Sequence, residues 1–362
     1  MAPINSMKNR VLLLIDKIEQ GGAERQFLYL ASELKLRGYD LRIIQFYEGE
    51  NFYQNQLEKS QLNVETLVKG RNPLRRAFLI KNLVIGWKPQ AVICYKPGTS
   101  MAGCLARSLV KFNLIVSERN TTQKLTKAER LKFLLYNWAT HIVPNSYSQL
   151  EFIKTNFRSL YPKCMVITNM IDTNLFCPAK HKTNRDVTHV ITSARVTPQK
   201  NVLTYLEAIA ITKKQVVKVH FDWFGRIDDN GEYWHNIQNK ITRLKIQDYI
   251  TFHGPTNKII EAYQNNDIFL LPSLYEGFPN VLCEAMSCGL LAIASNVSDN
   301  PVILEDKEWL VNPYNPVEMA EKIEKMINFS QEERRLIGER NRQRIIKICS
   351  PENFINKYIE LL

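Results

Sequence analysis

The chain has 362 residues, 45% of them apolar and 23% charged, the balance of a globular protein long enough for two domains, each with its own core. No apolar stretch approaches the length of a membrane span, and Val11–Ile15 is too short, and too soon interrupted by Asp16, for a signal peptide. The expected location is therefore the cytoplasm. The net charge of +12 is uneven: residues 1–170 hold 25 Lys and Arg against 12 Asp and Glu, and residues 171–362 hold 23 against 24. The excess on the first half suits an anionic partner such as nucleic acid, a membrane surface or a phosphorylated acceptor, although a solvated basic surface needs none.

In chain order, short apolar runs predict strands at 10–16, 41–47, 62–67, 90–95, 113–117 and 140–144. Between them, helical spacing predicts helices at 23–37, 52–60, 73–86, 99–110, 126–138 and 147–156. The alternation is that of a parallel sheet with crossover helices, an α/β fold. It resumes with strands at 166–168, 188–194, 218–224, 249–253, 267–271 and 290–294 and helices at 201–213, 231–244, 256–265, 279–288 and 316–328. A polar helix at 331–348 precedes Ser350-Pro351 and a last helix at 352–361. The polar stretch Asn184–Asp186 marks the start of the second alternating set. Seven cysteines form no Cys-x-x-Cys pair and no zinc-like cluster, so they are expected as core residues without a structural metal.

The densest chemical signal is the pair Glu276 and Glu284, separated by a turn through Gly277, Phe278, Pro279 and Asn280. Glu276 follows the strand ending near Ser273, and Glu284 lies on the helix that the turn opens. The N–H groups of 278–281, Val281 included, then point outward at the positive end of a helix, which suits a phosphate. Pro279 has no N–H to give. Ionised carboxylates beside them accept hydrogen bonds from sugar hydroxyls, so the combination suits a nucleotide sugar. Arg195 and Lys200 follow the strand at 188–194; a planar fork and a compact cation suit a diphosphate, although such a pair alone is an ordinary solvated loop. Gly21-Gly22 follows the first strand but is not Gly-x-Gly-x-x-Gly, which disfavours a dinucleotide-dependent oxidoreductase.

These segments together resemble glycosyltransferase family 4, as found in bacterial surface-polysaccharide transferases. Glu276–Glu284 resembles its Glu-x7-Glu motif, Leu14–Arg25 its first strand and glycine loop, Ile167–Pro178 its interdomain linker, and Ser193–Asn201 its donor-diphosphate segment. The resemblance implies the GT-B fold: an acceptor-binding Rossmann-like domain, 1–172, and a nucleotide-sugar donor-binding one, 173–349, facing across a cleft, with a C-terminal helix at 350–362 crossing back to complete the first. It also implies a retaining transfer of a hexose from a nucleotide diphosphate sugar, with uracil favoured, and no cofactor or metal. Arg195 and Lys200 would neutralise the diphosphate, Glu276 hold the hexose and Glu284 the ribose. Gly225 and Arg226, after Phe224, and His253, after Phe252, would lie near the donor, and Gly21 and Gly22 would approach the acceptor or a phosphate.

Many members carry a His after the fifth strand; this chain has Val116-Ser-Glu-Arg-Asn120, so Glu118 or Arg119 is expected in its place. The acceptor implied is an oligosaccharide, including a polyprenyl-diphosphate-linked one. The basic stretches Lys69–Arg76 and Lys124–Trp138 suit an anionic membrane at the inner face of the cell membrane, with Leu131, Leu134, Leu135 and Trp138 expected as a core-facing stripe. A non-hydrolysing nucleotide-sugar epimerase and a degenerate or nucleic-acid-binding subunit are the alternatives. The intact Arg195, Lys200, Glu276 and Glu284 set opposes decay, and no nucleic-acid-reading motif accompanies the basic half.

Overall fold

The computed structural model describes residues 9–19, 21–49, 51–67, 72–119, 121–180, 186–216, 218–229 and 231–362. Lys69, Asn120 and the Asn184-Arg185 pair lie outside the described residues. The chain divides into unit 1, residues 1–170 with 351–362, and unit 2, residues 171–350.

Unit 1 holds β1 (Arg10–Ile15), β2 (Asp40–Gln45), β3 (Val64–Thr66), β4 (Ala91–Tyr95), β5 (Leu114–Glu118) and β6 (His141–Pro144), in the order β3-β2-β1-β4-β5-β6. All pairs are parallel. Central strands are apolar along their length, since helices cover both faces of such a sheet. Leu13 and Ile15 face the helices Gly22–Leu36 and Pro351–Ile359, where Phe27, Phe354, Ile355 and Tyr358 pack. Leu12 and Leu14 face the other layer, where Ile80, Ala102, Phe133, Tyr136 and Ile153 pack. That layer comprises the helices Pro73–Trp87, Pro97–Leu109, Lys127–Leu135 and Tyr147–Asn156.

Unit 2 repeats the plan with β7 (Thr188–Ser193), β8 (Val219–Phe224), β9 (Ile250–Gly254), β10 (Ile268–Leu271), β11 (Leu291–Ser295) and β12 (Leu310–Val311), in the order β12-β11-β10-β7-β8-β9. Both sheets are doubly wound, and each reverses its order once: between β1 and β4, and between β7 and β10. Ligands of such sheets lie outside the carboxyl ends of the strands at that reversal.

Two expected elements differ. Residues 166–168 form no strand; the segment is extended, and its neighbour Cys164 makes a single bridge to Ile142. Of the stripe expected in 126–138 only Leu135 packs on the core: Leu131, Leu134 and Trp138 are 54%, 61% and 43% exposed, while Lys132, Phe133 and Tyr136 turn inward. The helix is rotated because Lys132 pairs with buried Glu118 at 2.9 Å and Phe133 stacks on Phe157 at 4.4 Å. No described helix is long and apolar enough to cross a membrane.

Candidate active site

Unit 2 gathers its chemistry at the reversal between β7 and β10. After β7 the chain runs through Arg195 into a short turn, Pro198–Lys200, and Asn201 then opens the helix Val202–Gln215. Asn201 lies in the left-handed region at φ 57°, a conformation asparagine tolerates better than most residues. Its amide donates to the carbonyls of Pro272, at 3.0 Å, and Pro313, at 2.6 Å. The turn is thereby pinned to the segment after β10.

That segment carries Glu276. Its Oε1 accepts from Ser273 Oγ at 2.6 Å and from the Lys200 ammonium, and its N–H donates to Ser298 Oγ at 3.1 Å. Leu274 N–H donates to the Gln199 carbonyl at 2.9 Å, and Gln199 returns a bond to the Tyr275 carbonyl. Lys200 and Glu276 are thus held together, with no described residue bonded to Glu276 Oε2. Arg195 is exposed and makes no side-chain hydrogen bond or ion pair with a described residue.

Gly277, Phe278 and Pro279 lead into the helix Asn280–Ser287, whose N-cap residue, Pro279, provides no side-chain cap. Its N–H groups project from the start of the helix, as an anion site requires. Phe278 is buried and Val281 packs on the core, which fixes the turn. Glu284, 3% exposed, lies one turn further in and accepts from Tyr263 Oη at 3.4 Å. On the other flank, Gly225 sits at φ 151° where any Cβ would fall 2.0 Å from the Ala194 carbonyl oxygen, so β7 and β8 close tightly only around glycine. The exposed Arg226 gives its carbonyl to Val196 N–H at 2.9 Å. His253 stacks on Phe224, centroids 4.2 Å apart and planes 7° off parallel, and pairs through Nε2 with Asp222 at 2.6 Å.

In unit 1 the expected residues take other roles. Glu118 is buried, with its Oε2 engaged by Lys132 and Tyr136 Oη. Arg119 spends its donors on Ser117 Oγ at 2.7 Å, Asn169 at 3.1 Å and the hydroxyls of Tyr95 and Tyr358, tying β4 and β5 to the final helix. Gly21 gives its carbonyl to Tyr53 Oη at 3.0 Å, and Gly22 begins its helix. The Glu24 carboxylate lies against Gly21 and pairs with Lys96, placing negative charge beside the loop expected to approach an acceptor or a phosphate.

Reading from the sequence passed over Ser273, Asn201, Asp222 and Tyr263, the residues that hold the others. Only Asn201 carried a local sign, standing between a turn and a helix.

Solved structures place this two-unit plan in a known class. Anabaena HepE, solved in complex with UDP, superposes with a TM-score of 0.83 at 19% identity, covering 97% of this chain and 98% of its own. The fold is GT-B, and the chain is a glycosyltransferase of that class. Residues 20–175 match the model of Glycosyltransferase Family 4 and residues 176–344 that of Glycosyl transferases group 1, and the chain belongs to this family. Among its relatives, the amylovoran biosynthesis glycosyltransferase AmsD of Erwinia amylovora is 25% identical over 323 residues, 84% of this chain and 86% of that protein. The UDP-Gal:alpha-D-GlcNAc-diphosphoundecaprenol alpha-1,3-galactosyltransferase of Escherichia coli is 30% identical over 202 residues, half of each chain.

Proposed function

We propose that the protein is a retaining, metal-independent hexosyltransferase that moves a hexose from a UDP-sugar to a hydroxyl of a lipid-linked oligosaccharide in surface-polysaccharide assembly. The observation that carries this is the pairing of Lys200 with Glu276 beside the start of the helix that bears Glu284. Phosphate, hexose and ribose each find a matching group within one strand edge. Lys200 and Arg195 offset the charge that develops on the leaving diphosphate. The bond from the anomeric carbon to phosphate breaks, the bond to the acceptor oxygen forms on the same face, and the acceptor proton passes to the departing phosphate oxygen. No protein nucleophile is needed for that step, which accommodates Glu118 and Arg119 being engaged elsewhere. The UDP bound by HepE and the UDP-Gal and diphosphoundecaprenol in the name of the Escherichia coli relative support the choice of donor and acceptor.

The same reading places the outer helix layer of unit 1 on an anionic membrane. Leu74, Phe78, Lys81 and Ile85 repeat at i, i+4, i+7 and i+11, as do Lys127, Leu131, Leu134 and Trp138, and the apolar members of both stripes are exposed. Two apolar stripes that each carry a cation fit a lipid interface.

Thermal shifts with UDP, GDP and ADP on the wild type and on Glu284→Ala test the donor site. A ligand at ~100 times its dissociation constant adds roughly 2.7 kcal/mol. A response to UDP alone, lost in the variant, is expected; no response to any nucleotide overturns the proposal. Retention by vesicles containing phosphatidylglycerol at low salt, lost when Leu131 and Leu134 become Ser, checks the membrane face.

A further inference from the structure

Glu276 stands at the hexose in the transferase reading, and a residue from a separate loop sets its direction. Ser298 follows β11, between Ser295, the last strand residue, and the short helix Asn300–Leu304. Its Oγ accepts from the Glu276 N–H at 3.1 Å, while Ser273 Oγ, beyond β10, donates to Glu276 Oε1 at 2.6 Å. β10 and β11 are parallel neighbours, with Leu271 opposite Ala294. Two serines that follow adjacent strands therefore hold Glu276, one at its main chain and one at its carboxylate.

Ser298 holds its place under strain. At φ 52° it lies in the left-handed region, which glycine takes freely and asparagine tolerates, but which serine disfavours. The bonds around it impose that conformation. Before it, Asn296 N–H donates to the Val311 carbonyl at 2.7 Å and Val297 N–H to that of Ser295 at 2.8 Å. After it, buried Asn300 gives its N–H to the Val297 carbonyl at 3.2 Å and its amide to that of Ser295 at 2.9 Å. Strain fixed from both sides in this way collects where a site must be held rigid. Glycine would satisfy the same backbone, so what serine adds is the hydroxyl. Among the described residues, the one hydrogen bond which that hydroxyl makes is to Glu276.

The carboxylate shows what the bond is for. Oε1 is taken by Ser273 and Lys200, and no described residue bonds to Oε2. Oε2 is thus the oxygen left to accept from a sugar hydroxyl. Such O–H···O bonds span only about 2.5–3.0 Å, so a half-ångström drift of the main chain decides whether one forms.

We propose that Ser298 is a positioning residue for the transferred hexose, fixing the Glu276 main chain so that Oε2 meets a sugar hydroxyl. It acts on the sugar and not on the nucleotide. The inference rests on the donor reading, which places the hexose at Glu276.

Calorimetric titration of the full chain with UDP, UDP-glucose, UDP-galactose and UDP-N-acetylglucosamine tests it. The wild type is expected to bind UDP and at least one of the three sugars. Ser298→Ala should bind UDP as the wild type does and that UDP-sugar about three- to tenfold more weakly, the worth of one hydrogen bond. Ser298→Gly should lose the same sugar affinity yet melt at a higher temperature than Ser298→Ala, because glycine relieves the strain that alanine keeps. In a Glu276→Ala background, Ser298→Ala should weaken the UDP-sugar no further, as expected of a residue that works through Glu276. An equal loss for UDP and UDP-sugar, a sugar affinity that follows melting temperature across the two variants, or a further loss in the Glu276→Ala background overturns the assignment. Binding of UDP alone, or an indifferent Ser298→Ala, overturns it and leaves the donor reading standing. Failure of the wild type to bind any of the four overturns the donor reading, and this inference with it.

Discussion

Asn201 illustrates how much of the site depends on side chains with no chemical role of their own. Its amide satisfies two carbonyls from separate segments and holds the preceding residue, Lys200, against Glu276. Asn201→Ala leaves both carbonyls buried without a donor and is expected to cost about 1–3 kcal/mol, read as a lower denaturation midpoint. Turnover should fall further than donor affinity, because Lys200 then loses its fixed position. Lys200→Ala sharpens the point. It removes the cation nearest Glu276 and should lower turnover at least as much as it weakens donor binding. Unchanged turnover at saturating donor would remove Lys200 from catalysis.

Elements were more legible than their orientation. Long apolar runs such as Val11–Ile15 and Ile268–Leu271 declared buried parallel strands, because only a sheet covered on both faces tolerates them. The Lys127–Leu135 helix was found, but Leu131, Leu134 and Trp138 were assigned to the wrong side. Periodicity reports that a stripe exists; whether it faces the core depends on partners distant in sequence, here Glu118 and Phe157. Glu276 and Glu284 were visible because a strand end, a turn and a helix start follow one another between Leu271 and Asn280. Asp222 was invisible, since its partners come from two other strands. Burial raises its carboxyl, yet hydrogen bonds from His189 and His253, with the charges of His189 and His220, hold it below the ordinary 3.8. A carboxyl lowered on folding stabilises above its unfolded value and loses that contribution as pH falls through the folded one. Asp222→Asn should therefore flatten the loss of stability below pH 3.8, measured as urea midpoint against pH. An acid slope equal to wild type would show that the strand-bridging pair is energetically silent.

At the scale of the molecule, unit 1 is discontinuous, and residues 351–362 supply Phe354, Ile355 and Tyr358 to its core. Three fully buried side chains at about 1.5–3 kcal/mol each approach the whole stability of an ordinary domain. Deleting 351–362 should therefore unfold unit 1 while unit 2 keeps its own transition and its response to UDP, as calorimetry would record. A single undivided transition, or an unchanged first one, would contradict this. The division was readable in part. The break at Ser350-Pro351 stood out, and the Ser330–Glu333 capping box does begin the helix before it. That the last helix belongs with unit 1 came from family resemblance, because periodicity carries no address.

The same discontinuity orders the birth of the protein. Residues 351–362 leave the ribosome only after all of unit 2, and synthesis of the intervening 180 residues takes on the order of 10–40 s. Throughout that interval the face of β1 and β4 that Tyr358 will cover stands open, and the Arg119 donors meant for its hydroxyl have only Tyr95, Ser117 and Asn169 to hold. The nascent first unit is thus a natural client for chaperones, and slow codons between 171 and 350 would lengthen its exposure without altering a single residue of the finished enzyme.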